Sequence, residues 1–128
     1  MGMGASNYDA LVEWLETSFE GDLRWVASFN HRTFSYKVKY IREDLKTELS
    51  GMELETIIHR SMAVLSRDHV EDVYFHLGDA EALLVKHEKA MAVHLYLTEE
   101  TGVVIKLAEG AEISVPGFFE DCHDRLNA

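Results

Sequence analysis

The segment from residue 23 to residue 41 constrains the fold most, because its side chains alternate with a period of two residues. Mostly apolar residues alternate with mostly polar or basic ones on both sides of a break, Asn30-His31-Arg32-Thr33. This alternation is typical of two half-buried strands, and it predicts a hairpin in which Asn30 pairs with Thr33. In that register one face holds the pairs Phe29–Phe34, Ala27–Tyr36, Trp25–Val38 and Leu23–Tyr40.

Apolar residues at helical spacing predict further helices. The first covers residues 8–20, with Asn7 as its cap and Gly21 as its stop. The second begins at Ser50, which has the spacing of a capping box with Glu53, and extends to about Ser66. A short last helix opens at Pro116.

Three more strands are predicted in the second half of the chain, over residues 82–87, 91–97 and 103–107. The first two are expected to pair about residues 88 and 91, so that His87 lies opposite Ala92 and His94 opposite Val85. The stretch from residue 70 to residue 77 fits either a helix extension or a short strand.

The element order is therefore α-β-β-α-β-β-β-α. Amphipathic helices must bury their apolar stripes, so this order predicts an α+β fold, a five-stranded antiparallel sheet with packed helices. The length of 128 residues suits one domain, which we place at residues 8–128 after a flexible leader of residues 1–7.

Bulk properties indicate an intracellular protein. No apolar stretch approaches the ~20 residues that cross a bilayer, and the first residues lack a signal-peptide pattern. Cys122 is the single cysteine, so no internal disulfide forms, as is typical of a reducing cytoplasm. We expect a cytoplasmic protein.

The net charge of −11 is unevenly distributed. Residues 23–42 contain five basic residues and no acid, whereas the rest of the chain carries −16. An acidic surface keeps a protein in solution and repels nucleic acid, or it forms an interaction surface. An acidic surface also suits concentrated salt. At 1 M the Debye length falls to about 3 Å, so the like charges on the surface no longer repel one another.

The element order resembles that of profilin-like and roadblock-type sandwich domains. That resemblance rests on topology, and it implies a non-catalytic module that dimerises or serves as a scaffold.

Several segments also resemble a family of small uncharacterised haloarchaeal proteins. They are Tyr8-Asp9-Ala10-Leu11-Val12-Glu13-Trp14-Leu15, Leu23-Arg24-Trp25-Val26-Ala27-Ser28, Lys39-Tyr40-Ile41-Arg42-Glu43-Asp44-Leu45 and Thr101-Gly102-Val103-Val104-Ile105. This resemblance implies a cytoplasm with molar salt and favours the salt interpretation of the acidity. One departure is that lysines are as frequent as arginines, six each.

Seven histidines make a metal site one hypothesis, although none of the spacings HExxH, CxxC or HxH occurs. His87 and His94 fall on neighbouring predicted strands, and His123 or Cys122 on the last helix would complete a three-ligand set. The alternative is that these histidines have no shared role.

No pattern predicts catalysis. Cys122 precedes His123 directly, and adjacent helical residues point about 100° apart, so they do not form a nucleophile–base pair. Neither GxSxG nor a glycine-rich phosphate loop occurs. We therefore predict no catalytic residues and no cofactor, and we favour a non-enzymatic protein.

The cationic hairpin is the remaining candidate site. Arg24, Lys37 and Lys39 accompany Tyr36, a combination that binds anionic ligands or single-stranded nucleic acid. The surrounding negative charge argues against nucleic acid. The alternative is that the hairpin binds no ligand, and that acidic helices of the same chain or of a second copy neutralise its positive charge.

The sequence thus supports an interaction or regulatory module that self-associates, as a homodimer, in a high-salt cytoplasm. The alternative is a protein that binds a metal or a small anion through the histidines or the hairpin.

Overall fold

A computed structural model describes residues 6–49 and 51–128. The proposed leader falls mostly on residues 1–5, and the capping box on Ser50; both lie outside the described residues. The described elements are α1 (Tyr8–Phe19), β1 (Leu23–Asn30), β2 (Ser35–Ile41), α2 (Leu45–Glu48), α3 (Gly51–Val64), α4 (Arg67–Val73), β3 (Ala82–Lys86), β4 (Ala90–Tyr96), β5 (Thr101–Ala108) and α5 (Gly117–Leu126).

The five strands form one antiparallel sheet in the order β2-β1-β5-β4-β3, which confirms the predicted fold class. Helices cover both faces. On one, the α1/α5 face, Leu11, Leu15 and Phe118 pack against the strands. On the other, the α3 face, Leu54 and Ile58 do so. Both faces of β4 and β5 are consequently buried. Among the described helices none is long and apolar enough to cross a membrane.

The start of α1 forms as predicted. The Asn7 side chain accepts a hydrogen bond from the Ala10 backbone at 3.0 Å, which satisfies an amide that the first turn leaves unpaired. The Asn7 backbone N–H also donates to the Leu126 carbonyl at 2.7 Å, and this bond ties α1 to the end of α5.

The predicted hairpin exists, but its register is wrong. Asn30 pairs with Ser35 and Phe29 with Tyr36, so the loop contains four residues instead of two. The Asn30 side chain accepts from the backbone N–H groups of Arg32 and Thr33 at 3.0 and 3.2 Å, and Phe34 adopts a left-handed φ of 57°. These local bonds stabilise the longer loop.

Two irregularities also change which side chains share a face. The pairing of β1 with β5 shifts between Leu23 and Trp25, so Leu23 packs on the α1/α5 face and Trp25 on the α3 face. A second shift, between Val26 and Ala27, places Tyr40 on the α1/α5 face. The prediction that one face holds all the alternating apolar residues was therefore wrong, since an inserted residue reverses the alternation.

The register of β3 with β4 also differs from the prediction, by two residues. Val85 pairs with Ala92 and Leu83 with His94. A shift of two residues keeps each side chain on its predicted face. Met91, Val93 and Leu95 accordingly lie together on the α1/α5 face.

The ambiguous stretch after α3 is helical at its start. Residues Arg67–Val73 form α4, and Tyr74 and the residues that follow turn back toward β3. The short helix α2 was not predicted; Leu45 anchors it by full burial against the α3 face.

Candidate functional site

A concentration of exposed apolar side chains lies where α3, α4 and β3 meet, and we call it the α4–β3 surface. Phe75 is 84% exposed and Leu77 is 67% exposed, values that are unusual for large apolar residues in a folded domain. The remaining exposed members are Val64, Val73 and Tyr74.

A groove of about 590 Å³ forms the centre of this surface. Val64 and Leu65 from the end of α3, Val70 and Val73 from α4, and Leu83 from β3 line it. The Tyr96 hydroxyl donates to the Leu65 carbonyl at 2.7 Å and so fixes the end of α3 against the sheet.

Polar contacts join α4 to the segment that leads into β3. Arg67 pairs with Glu71 at 2.9 Å and with Asp79 at 3.3 Å. Glu71 in turn accepts from the Ala80 backbone N–H at 2.7 Å. The segment that leads into β3 is thus attached to α4, and the intervening residues are left exposed.

The two edges of the sheet differ in chemistry. The β2 edge carries Lys37 and Lys39, and lysines on an edge strand oppose pairing with another strand. The β3 edge has the sequence Ala-Leu-Leu-Val-Lys, and within the described chain no strand pairs with its outer side. The α4–β3 surface therefore includes an edge with unpaired backbone groups.

The residues predicted to form a cationic site do not converge. Lys37 pairs with Ser28, and the Lys39 ammonium lies 4.7 Å from the centre of the Tyr8 ring, both on the α1/α5 side of the sheet. Tyr36 lies on the α3 face, where its ring meets His59 edge-on at 5.7 Å. Tyr36 and Lys37 share only a shallow cavity of about 200 Å³ at the strand ends.

Arg24, the fourth predicted residue, lies at the irregularity in β1. Its Nε atom is buried and has no hydrogen-bond partner in the described structure.

The structure does not bring together the three predicted metal ligands, His87, His94 and His123. His123 lies on α5, which packs on the α1/α5 face, whereas His94 lies on the α3 face, so the sheet separates them. Among the described residues no three histidine, cysteine or acidic side chains come close enough to hold a metal ion.

His87 and His94 do share a cavity, which we call the His94 pocket. It measures about 150 Å³ and lies between α3 and the sheet. The lining residues are Trp25, Ile57, Ser61, Leu65, Val85, His87, Ala92, His94, Val104 and Lys106. His94 is only 3% exposed, and His87 lies at the surface. Burial, with a smaller effect from the charge of Lys106, lowers the pKa of His94 to about 4.

Cys122 is fully buried in the α1/α5 core. Burial, with a smaller effect from Asp121, raises the pKa of its thiol to about 12, so the reactive thiolate is disfavoured. This agrees with its interpretation as part of the apolar stripe of α5.

Sequence reasoning did not identify the α4–β3 surface. The sequence pattern that could have indicated it is the ambiguous stretch of residues 70–77. The apolar residues in this stretch do not fall on one face of a helix or a strand; they are Val70, Val73, Tyr74, Phe75 and Leu77. An apolar run that satisfies neither helical nor strand periodicity indicates side chains without an intramolecular partner.

Solved structures of other proteins share this architecture. A Roadblock/LC7 domain from Streptomyces avermitilis is similar, with a TM-score of 0.61 and 10% identity over 96% of this chain and 92% of that one. The gliding protein MglB from Thermus thermophilus has a TM-score of 0.61 and 14% identity, over 98% and 91%. Myxococcus xanthus MglB has a TM-score of 0.63 and 7% identity, over 92% and 89%. These likenesses show that the chain has the roadblock/LC7 fold, as its element order predicted.

No curated protein matches the chain in sequence. Residues 9–127 match the family described as Domain of unknown function (DUF7522), and the chain belongs to that family.

Proposed function

We propose that this member of the DUF7522 family is a non-enzymatic interaction or regulatory module that self-associates through its α4–β3 surface. The observation that carries the proposal is the exposure of Val73, Tyr74 and Phe75 beside a groove and an open sheet edge. Contiguous exposed apolar surface of this kind marks protein–protein contact sites.

The charge pattern of β3 favours a second copy as the partner. Glu81 precedes four apolar residues and Lys86 follows them, so the segment is acidic at one end and basic at the other. When two copies pair antiparallel about the middle of β3, Glu81 of one lies opposite Lys86 of the other. Both side chains are exposed, and neither is in an ion pair among those that the described residues form.

One similar structure is described as MglB with a tetrameric arrangement, at 13% identity and a TM-score of 0.57 over 98% of this chain and 88% of that one. This description belongs to that protein, and it supports the idea that the fold accommodates assembly.

The proposed setting is a high-salt cytoplasm. The net charge of −11 makes two copies repel each other in dilute buffer, and salt reduces that repulsion. An apolar interface retains its driving force in salt, whereas an interface of surface ion pairs would weaken.

Sedimentation equilibrium in concentrated potassium chloride tests the proposal. We expect a dimer for the unmodified chain and a monomer for the double variant Val73→Glu plus Phe75→Glu, which places charge in the interface. The matched control is Val115→Glu, at an apolar side chain that is 51% exposed before α5, and it should remain dimeric. An unmodified chain that stays monomeric at every concentration would refute the proposal.

The β3 register has a separate charge-exchange test. At the lowest salt concentration at which the unmodified chain still dimerises, Glu81→Lys alone and Lys86→Glu alone should each weaken dimerisation, because each places like charges opposite one another. The double exchange should restore it. Equal weakening in the double variant would exclude this register while leaving the apolar surface as the interface.

A further inference from the structure

The His94 pocket contains basic groups and no carboxylate. Its sheet wall presents Lys106, His94 and His87, and neither Asp nor Glu is among its lining residues. This contrasts with the composition of the chain, which has 23 acidic residues and only 12 lysines and arginines. The pocket is therefore a positive site inside an acidic protein.

The polar groups of the pocket lack partners. Within the described structure the side chains of Lys106 and His94 make no hydrogen bond or ion pair, and only the Trp25 ring, whose centre is 5.8 Å from the Lys106 ammonium, contacts that charge. Ser61, by contrast, already donates to the Ile57 carbonyl at 3.0 Å. The His94 side chain is almost fully buried and Lys106 is partly buried, yet the donor groups of both are free of partners among the described residues and can therefore reach a ligand in the pocket.

The surrounding charges favour an anion. Burial and the nearby Arg24 lower the pKa of Lys106, so this ammonium lies in a positive environment. The His94 imidazole is neutral at pH 7, given its pKa of about 4, and presents an N–H donor. A cation would meet repulsion from Lys106, whereas an oxyanion can accept from both Lys106 and His94.

From these contacts we propose that the His94 pocket binds a small oxyanion, held by Lys106 and His94 with His87 at the entrance. The volume of about 150 Å³ admits an inorganic oxyanion or one carboxylate or phosphate group of a larger molecule. The apolar side chains of Trp25, Val85 and Val104 on its walls lower the local dielectric constant, which strengthens electrostatic contacts with the anion. A recessed site of this kind is screened less by salt than a flat surface patch would be.

Calorimetric titration tests the proposal, with phosphate, sulfate and acetate each added at constant ionic strength. We expect saturable binding of at least one of these anions. Lys106→Met, which keeps the stem and removes the charge, should weaken that binding at least tenfold. Lys37→Met makes the same change on the β2 edge and should bind like the unmodified chain. Preference for phosphate and sulfate over acetate would identify a tetrahedral ligand, and the reverse order a carboxylate.

A second measurement guards against misfolding of a variant. In nitrogen-15 spectra the imidazole signals of His94 should move on addition of the anion that binds, while those of His123, on the opposite face, should not. Absence of saturable binding by all three anions, or equal affinity of Lys106→Met and Lys37→Met, would overturn the proposal. Since the dimerisation variants lie outside the pocket, loss of self-association would leave this result unchanged.

Discussion

The imidazole of His94 lies opposite Leu83 and Val104 in the sheet, and α3 covers it. Burial lowers its pKa to about 4, against 6.5 in an unfolded chain. Between pH 6.5 and about pH 4, the imidazole is protonated in the unfolded state but stays neutral in the folded state. The free energy of unfolding therefore decreases as the pH falls through this range. At about 1.4 kcal/mol per pH unit, the free energy of unfolding decreases by about 3 kcal/mol over this range.

Urea unfolding between these pH values measures the effect. His94→Gln, which cannot titrate, should flatten the pH dependence of the unfolding free energy over this window. His76→Gln, at an exposed position in the segment before β3, is the matched control and should retain the full slope. Equal slopes in the two variants would show that His94 is not the responsible group.

At the scale of elements, the contact of β1 with β5 depends on a close approach at Gly102. A methyl group added there would lie 2.5 Å from the Leu95 carbonyl oxygen and 2.5 Å from the Phe29 ring. The ring could rotate, but the carbonyl belongs to the neighbouring strand and cannot move far. We expect Gly102→Ala to lower the unfolding free energy by about 1–3 kcal/mol, as overpacking does.

The matched variant for this prediction is Gly110→Ala, in the turn after β5, where an added methyl group meets nothing within 4 Å. Its effect should stay within about 0.5 kcal/mol, as for a typical surface substitution. Thermal unfolding of both variants in one buffer provides the comparison, and similar losses would contradict the role assigned to Gly102.

The elements also show what sequence patterns can and cannot predict here. Strand-like patterns identified all five strands, because each strand carries apolar side chains that pack against a helix-covered face of the sheet. It did not identify the inserted residues at Arg24 and Lys39, because an irregularity depends on the partner strand and leaves no mark in its own sequence. The length of the hairpin loop was predicted wrongly for a similar reason. The Asn30 side chain stabilises a four-residue loop through its hydrogen bonds, and the sequence lacks an Asn-Gly or similar pair that would indicate the turn type.

The candidate sites were harder to predict than the fold. Lys106 pairs with Trp25 and Ala92, on strands far apart in sequence, so the His94 pocket depends on the sheet order. No spacing in the chain connects these residues. The α4–β3 surface had a local signal in residues 70–77, but only the structure shows that this stretch has nothing to pack against.

At the scale of the whole molecule, the net charge of −11 should make stability depend on salt. Raising potassium chloride from 0.1 M to 1 M shortens the Debye length from about 10 Å to about 3 Å, and this reduces repulsion among the acidic groups. We expect the melting temperature to rise over this range.

The variant Glu13→Gln plus Glu16→Gln removes two exposed charges from α1 and separates charge screening from other salt effects. Its melting temperature should be higher than that of the unmodified chain in dilute buffer and should rise less with salt. A melting temperature that falls with salt in the unmodified chain would contradict the proposed adaptation to concentrated salt.

The unequal edges of the sheet also limit how large an assembly can become. In the assembly that we propose, the β3 edge of each copy pairs with another strand, whereas the lysines of the β2 edge oppose such pairing. Two copies joined through β3 consume both accepting edges and present only β2 edges at the two ends of a ten-stranded sheet. Growth by strand addition then stops at two copies, so Lys37 and Lys39 would protect the protein from polymerising into fibrils.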